Sequence, residues 1–335
     1  MTPGPCNLLT DIAGIRVGHA SDARIATGTT AVIFDEPTVV SVDIGGGGPG
    51  TRETDLLDPS RTVDRIDAIT LSGGSAFGLD AAGGVQAYLR SIGRGYAVGN
   101  ARVPLVPAAI LFDLLNGGDK EWGRYAPYRE LGFAAAEAAR TDFALGSVGA
   151  GFGATTVNFK GGIGSASAMI DGGFTVAALA AVNAAGGVVV GDGPSFWAAP
   201  FELGAEFGGR GFPGHVPPAA LLPRTKGAPR MNTTLVVVAT DAALTKAQAR
   251  HLAVMAQDGL ALSIHPVHTP LDGDIVFAAA TGRVALPNPV FDLMAIGSTA
   301  AQVVARAIAR GVFEAEALKF PCAVPSYRGK FSGPA

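Results

Sequence analysis

The run Leu235-Val-Val-Val-Ala239 constrains the fold more than any other stretch of this chain. It is apolar at every position, rich in β-branched residues and preceded by a polar, proline-spotted segment. That pattern reads as a buried strand. A buried strand needs cover, and two downstream segments have helical spacing. Residues 245–262 begin with a capping Thr245 and place Ala249, Leu252, Ala253, Ala256 and Leu260 on one face. Residues 287–310 carry Ile296, Ala300, Val303, Val304, Ala307 and Ile308. Further strands are expected at 27–34 and 38–44, joined as a hairpin through Asp35-Glu-Pro37, and at 67–71. Another is expected at 174–182, with Val188-Val-Val190 as its hairpin partner, and one at 275–280. The fold class is α+β, layered, with helices outside and mixed sheets inside. The tail after Phe320 is expected to be loosely ordered.

Composition excludes several functions. Charged residues are 16% of the chain and the net charge is −3, with no Lys/Arg cluster, so no nucleic-acid partner is expected. Cys6 and Cys322 are too few for a disulfide scaffold and read as unpaired thiols. The five histidines make no H-x-x-x-H pattern, so no metal site is expected. The four glycines from Gly45 lack the Lys-Ser/Thr of a P-loop and the spacing of a dinucleotide fingerprint, and no cofactor is expected. No signal peptide and no uninterrupted apolar segment of ~20 residues appear, so a cytoplasmic protein without a membrane span is expected. Glycine numbers 47, about twice the usual ~7%. Spread among apolar segments, it fits close backbone packing and tight interfaces of an oligomer.

Chemistry concentrates at the head of the apolar run. Asn232-Thr233 sits at the strand's opening edge, after the longest irregular region, 194–229. A Thr hydroxyl is a weak nucleophile that needs a base. A cut before Thr233 would supply one, because the new α-amine has an ordinary pKa near ~8. Read alone, the pair is also an ordinary strand start whose side chains satisfy local backbone groups. Asp272 and Asp274 follow Thr233 by 39 and 41 residues and open the 275–280 strand, where alternation puts them on one face. Adjacent carboxylates raise one another's pKa unless a cation lies between them; an α-ammonium on Thr233 is such a cation, and a solvated Asp-Gly-Asp turn is the alternative. Farther upstream, Ser72-Gly73-Gly74-Ser75 links a strand to a helix. Its N–H groups suit an oxyanion or a carboxylate, or simply make a tight turn.

Asn232-Thr-Thr-Leu235 before a strand, and His268-Thr269 through Asp272-Gly-Asp274 after a helix, resemble the self-processing N-terminal-nucleophile amidohydrolases. That family includes the L-aminopeptidase/D-esterases, the β-peptidyl aminopeptidases and, closest in motif, the 6-aminohexanoate-oligomer (nylon-oligomer) hydrolases. Leu71-Ser-Gly-Gly-Ser-Ala-Phe-Gly78, Gly149-Ala-Gly151, Lys160-Gly-Gly-Ile-Gly164 and Asn183 extend the likeness, which runs from Asp11 to Ala309. The resemblance implies a single αββα domain over 1–335, shared with ornithine acetyltransferase, and self-cleavage into 1–232 and 233–335. It implies Thr233 as nucleophile, with Asp272 and Asp274 orienting its hydroxyl and amine, and Lys160 and Asn183 lining the site. Some members carry Tyr where this chain has Phe112, which cannot donate a hydrogen bond. Phe112 and the loop Gly73, Gly74 and Ser75 are then candidates for substrate binding. The implied substrate is a small peptide or amide, and the implied assembly is a homotetramer. Two alternatives are an acyltransferase of the ornithine acetyltransferase type and an unprocessed scaffold on the same fold.

Overall fold

The computed structural model describes residues 1–226, 231–321 and 323–331; Cys322 and the end of the irregular stretch before Met231 lie outside the described residues. The strands are β1 (Ile15–Asp22), β2 (Thr27–Ile44), β3 (Thr51–Arg52), β4 (Arg65–Ser72), β5 (Tyr96–Val98), β6 (Ala101–Val103), β7 (Ala108–Ile110), β8 (Ile163–Met169), β9 (Thr175–Asn183), β10 (Thr233–Ala242) and β11 (Ile275–Val284). The helices are α1 (Ala81–Ser91), α2 (Tyr128–Glu137), α3 (Lys246–Ala261), α4 (Pro289–Phe313) and α5 (Tyr327–Phe331).

One mixed sheet dominates, in the order β3-β7-β4-β2-β11-β10-β9-β8, with β1 paired to β2; β5 and β6 form a separate hairpin. Strand β10 is central, antiparallel to β9 and parallel to β11. Its burial explains its composition, because no residue from Thr233 to Thr240 reaches solvent appreciably. Alternation along the strands builds the layers. Val176, Ala178, Ala180, Val236, Val238 and Val276 face α3 and α4. Their neighbours Ala177, Leu179, Leu235, Val237 and Phe277 pack instead against Val17, Val32, Phe34, Ile69 and Leu71 of β1, β2 and β4. Ala31, Ile33 and Ala68 then meet α1 and α2. The order is therefore helices, sheet, sheet, helices, and the two inner layers are one hydrogen-bonded sheet turned back on itself.

The turning element is β2, and here the expected hairpin is corrected. Residues 27–34 and 38–44 form one 18-residue strand. Its first half pairs with β1 and β4, its second with β11 and, at Thr38 and Val39, again with β4, whose register shifts between Ile33 and Thr38. Asp35-Glu-Pro37 is the exposed bend between layers; a proline is tolerated at an irregularity, where its missing N–H breaks no ladder. The expected pairing of 188–190 with β9 is also corrected. The partners of β9 are β8 and β10, and Val189 instead bridges Phe196. The tail differs from expectation as well. Tyr327 in α5 is buried and its ring meets Phe159, Phe196, Phe313 and Phe331. The irregular region, as far as Lys226, contains only the short 3-10 turns Ala199–Phe201 and Pro218–Leu221.

Candidate active site

The strand ends of β9, β10 and β11 meet at one edge of the sandwich. Register places Thr233 opposite Asn183 on β9. On the other side, Asn232 bridges Asp272 in the turn that precedes β11. The aspartates thus stand just before the strand rather than within it, and both are buried. Their turn is held by the Gly45–Gly48 run, whose Gly45 and Gly46 N–H groups donate to the Asp274 carbonyl and whose Gly48 N–H donates to that of Asp272. A Cβ on Gly46 would lie 2.4 Å from the Asp272 carbonyl oxygen. Close passage of two backbones, rather than a phosphate, accounts for that glycine.

Around Thr233 several polar groups are held in hydrogen bonds, while Asp272 Oδ1 and Thr234 Oγ1 are buried without one. The Thr233 hydroxyl, itself only 4% exposed, donates to the carbonyl of Asn232. The same carbonyl accepts the Gly273 N–H at 2.8 Å. Asp274 Oδ1 accepts the Thr234 N–H at 2.7 Å, and Asp274 Oδ2 accepts the His268 N–H at 3.1 Å and faces His268 Nδ1 at 3.0 Å. Asp272 Oδ2 accepts the Thr269 N–H at 2.8 Å. Burial and the adjacent Asp274 charge push the Asp272 carboxyl up from its ordinary value, against the Thr269 hydrogen bonds. Burial works against a charged His268, but the hydrogen bond and charge of Asp274 outweigh it and raise the ring's pKa.

Beside this edge is a cavity of about 220 Å³, with Phe112, Asp113, Thr155, Lys160, Lys226 and Met231 on its wall. Asn183 joins the cavity to the strand. Its Nδ2 donates to the Phe112 carbonyl at 3.0 Å, and its Oδ1 accepts from Thr155 N–H at 3.0 Å and Lys226 Nζ at 3.1 Å. Lys160 is 1% exposed and donates to the carbonyls of Gly151 and Gly161 at 2.8 and 2.6 Å. Burial lowers its pKa to about 7, with the Asp113 charge opposing.

The expected residues Thr233, Asp272, Asp274, Asn183, Lys160 and Phe112 therefore converge on one edge. Gly73, Gly74 and Ser75 are placed differently. Their N–H groups donate inside the protein, to the Gly28 carbonyl, Asp113 Oδ1 and the Leu111 carbonyl, and none is on the cavity wall. Sequence reasoning missed Asp113, Lys226, Gly273 and the role of His268. Only His268 and Gly273 carried a signal, both lying in the motif that ends at Asp274. Among the described residues no cluster of three or more His, Cys, Asp or Glu is arranged to hold a metal ion, and no helix is long and apolar enough to cross a membrane.

Solved structures match this architecture over nearly the whole chain. A β-aminopeptidase of Burkholderia sp. superposes with a TM-score of 0.72 at 24% identity, covering 98% of this chain and 92% of its own. The L-aminopeptidase D-Ala-esterase/amidase of Ochrobactrum anthropi, described as a variant of the Ntn hydrolase fold, also gives 0.72, at 18% identity, with 98% and 93% covered. The fold of this chain is α+β and Ntn-hydrolase-like. The chain is a peptidase or amidohydrolase by its family and its relatives. It belongs to peptidase family S58, whose model matches residues 7–322. An uncharacterised aminopeptidase of Mycobacterium tuberculosis is 45% identical over 348 residues, 98% of each chain. A 6-aminohexanoate-oligomer endohydrolase of Kocuria sp. is 28% identical over 296 residues, 83% of this chain and 76% of its own.

Proposed function

We propose that the chain cuts itself between Asn232 and Thr233, and that the freed Thr233 then hydrolyses amide bonds of small peptides or amides through an acyl-enzyme. The observation that carries this reading is the Asn232 carbonyl. The Thr233 hydroxyl lies against it and the Gly273 N–H polarises it. In the first reaction the Thr233 oxygen bonds to that carbonyl carbon, the Asn232–Thr233 C–N bond breaks, and the nitrogen takes the proton to become an amine. Water then hydrolyses the ester, leaving an Asn232 carboxylate and a free Thr233 hydroxyl and α-amine.

In the second reaction the α-amine accepts the hydroxyl proton as Oγ attacks a substrate carbonyl, then returns it to the leaving amine. Asp272 and Asp274, buried beside it, hold the new ammonium and fix the strand start through the Thr234 N–H. Asn183 Nδ2 and Lys160 are the candidate donors to the tetrahedral oxyanion, each such donor being worth ~3 kcal/mol. Phe112 lines the cavity, and its carbonyl anchors Asn183. The names of the relatives support aminopeptidase or nylon-type oligomer substrates, and the family resemblance supports a homotetramer of cut protomers. Intact mass tests the first reaction: two fragments are expected, and a single species at 33.7 kDa would overturn it. Thr233→Ala is expected to stay whole and inactive toward aminoacyl p-nitroanilides; wild-type-like turnover by that variant would remove Thr233 from the mechanism. Release of nitroaniline without an acyl acceptor separates hydrolysis from acyl transfer.

A further inference from the structure

At the cavity wall and behind it lies a set of buried polar groups that these two reactions do not use. Asp113 is 3% exposed. Its Oδ2 accepts from Thr27 Oγ1 at 2.5 Å and its Oδ1 from the Gly74 N–H at 2.7 Å. Both oxygens act as acceptors, as an ionised carboxylate requires. It has no room to swing. A Cβ on Gly73 would lie 2.2 Å from Asp113 Oδ2, and one on Gly153 would lie 2.5 Å from it. Two lysines flank it without a direct ion pair. Lys160 is tied to the Gly151 and Gly161 carbonyls, while Lys120 Nζ donates to Asn116 Oδ1 at 3.1 Å and to the Ile25 carbonyl. Asn116 Nδ2 closes the set on the carbonyls of Ala26 and Gly153.

We propose that Asp113 is a positioning residue that keeps Lys160 cationic at the cavity wall, through a fixed charge that lines the same cavity. This rests on the reading of Lys160 as a site cation. Two of the three Lys160 protons are taken by the Gly151 and Gly161 carbonyls, which leaves one N–H for the cavity that Lys160 lines. A buried ammonium loses its proton unless a counter-charge lies near. Asp113 is the anion whose charge opposes the burial of Lys160. The effect is mutual: burial pushes the Asp113 carboxyl up, while Thr27, Lys120, Gly74 and Lys160 restrain it. The other charged or titratable groups facing the pair are Lys226 on the cavity wall, the Tyr128 hydroxyl near Asp113, and Asp22 beyond Lys120. With its midpoint near neutrality, Lys160 changes state for a small change in this field.

The chain has six lysines, so 13C-lysine labelling of the full-length protein gives a countable set of side-chain signals. Lys160 is expected to titrate with a midpoint of about 7. Asp113→Asn, which keeps the shape and removes the charge, is expected to lower that midpoint by about one pH unit or more. Because the cation is the active form, activity falls as pH rises through the midpoint. The alkaline limb of kcat/KM therefore moves to lower pH by the same amount. An unmoved Lys160 midpoint in Asp113→Asn overturns the proposal, even if activity drops, because a purely structural loss lowers activity without shifting the titration. Should that variant not fold, the wild-type 13Cγ signal of Asp113 carries the test. It must report an ionised carboxylate throughout the range where Lys160 titrates; a neutral Asp113 there overturns the proposal. Neither titration needs turnover, so an uncut, inactive wild type would sink the threonine mechanism while these titrations still decide the role of Asp113.

Discussion

Gly273 sits between the two aspartates, and replacing it with alanine tests the site at its tightest point. The added Cβ would lie 2.7 Å from Thr233 Oγ1, 2.8 Å from the Gly48 carbonyl oxygen and 3.3 Å from Pro49 Cα. Favourable carbon contacts begin near ~3.5 Å, so the methyl must gain most of an ångström. The Gly48 oxygen is backbone, held in a run that donates three hydrogen bonds to the aspartate turn. The Thr233 hydroxyl is the softer neighbour and yields by rotating away from the Asn232 carbonyl. A displacement of ~1 Å at a reacting group costs ~100-fold in rate, or about 2.7 kcal/mol of barrier, on top of ~1–3 kcal/mol of stability from overpacking. Freshly purified Gly273→Ala protein, followed by intact mass over time, is expected to cut itself about 100-fold more slowly than wild type. Gly214→Ala is the control. Gly214 has open space around its Cβ position and no left-handed backbone, and its substitution should leave the cutting rate unchanged. A folded Gly273→Ala chain that processes at the wild-type rate would refute the placement of the hydroxyl on that carbonyl.

Two further perturbations read the framework, best in the Thr233→Ala background, where the chain is expected to stay whole. Arg306 is fully buried, forks onto Glu206 at 2.5 and 2.9 Å and also donates to the Ser167 carbonyl and Asn7 Oδ1. Arg306→Met strands the Glu206 carboxylate and is expected to cost ~3–5 kcal/mol by urea unfolding, with most of the loss recovered when Glu206→Gln is added; a single-variant cost below ~1 kcal/mol contradicts this. His19 is half-buried, with its ring Nε2 out of reach of solvent, and desolvation lowers its pKa from 6.5 to about 4. The unfolded chain therefore binds the proton more readily, so stability present above pH ~6.5 drains as pH falls toward 4, by about 3 kcal/mol in all. His19→Gln should flatten that slope in urea midpoints measured across the range, and an unchanged slope would place the acid sensitivity elsewhere.

What could be read from the sequence follows locality. Strand β10 was legible because a strand covered on both faces leaves an unbroken apolar run. The pairing of Thr233 with Asp272 and Asp274 was legible through their spacing and the family motif, since parallel β10 and β11 are joined by one helix. The bend in β2 was not. Asp35-Glu-Pro37 has the composition of a turn, and it is pairing with β4 on both sides of the bend, and with β11 beyond it, that keeps the strand extended. Val188-Val-Val190 has strand composition, but β10 had already taken the free edge of β9. Asp113 was invisible for a different reason. Its hydrogen-bond partner Thr27 is 86 residues away, and a lone Asp after Phe112 carries no periodicity. Gly73 and Gly74 fit a ligand-facing loop by composition; in the fold they cradle that same carboxylate.

The position of β10 has a consequence for how the molecule ages. Strands β10 and β11 lie between β2 and β9, so a chain cut before Thr233 would have its smaller piece threaded through the middle of the sheet built by the larger. Neither piece could leave without breaking two ladders. Once separated, the two would have to find each other as a second-order event while the β2 and β9 edges stood open. The uncut chain folds with its strands tethered; the cut one would show hysteresis, persisting under conditions from which it cannot be reassembled, and its recovery from urea would depend on protein concentration. The nucleophile would thus be armed at the expense of reversibility.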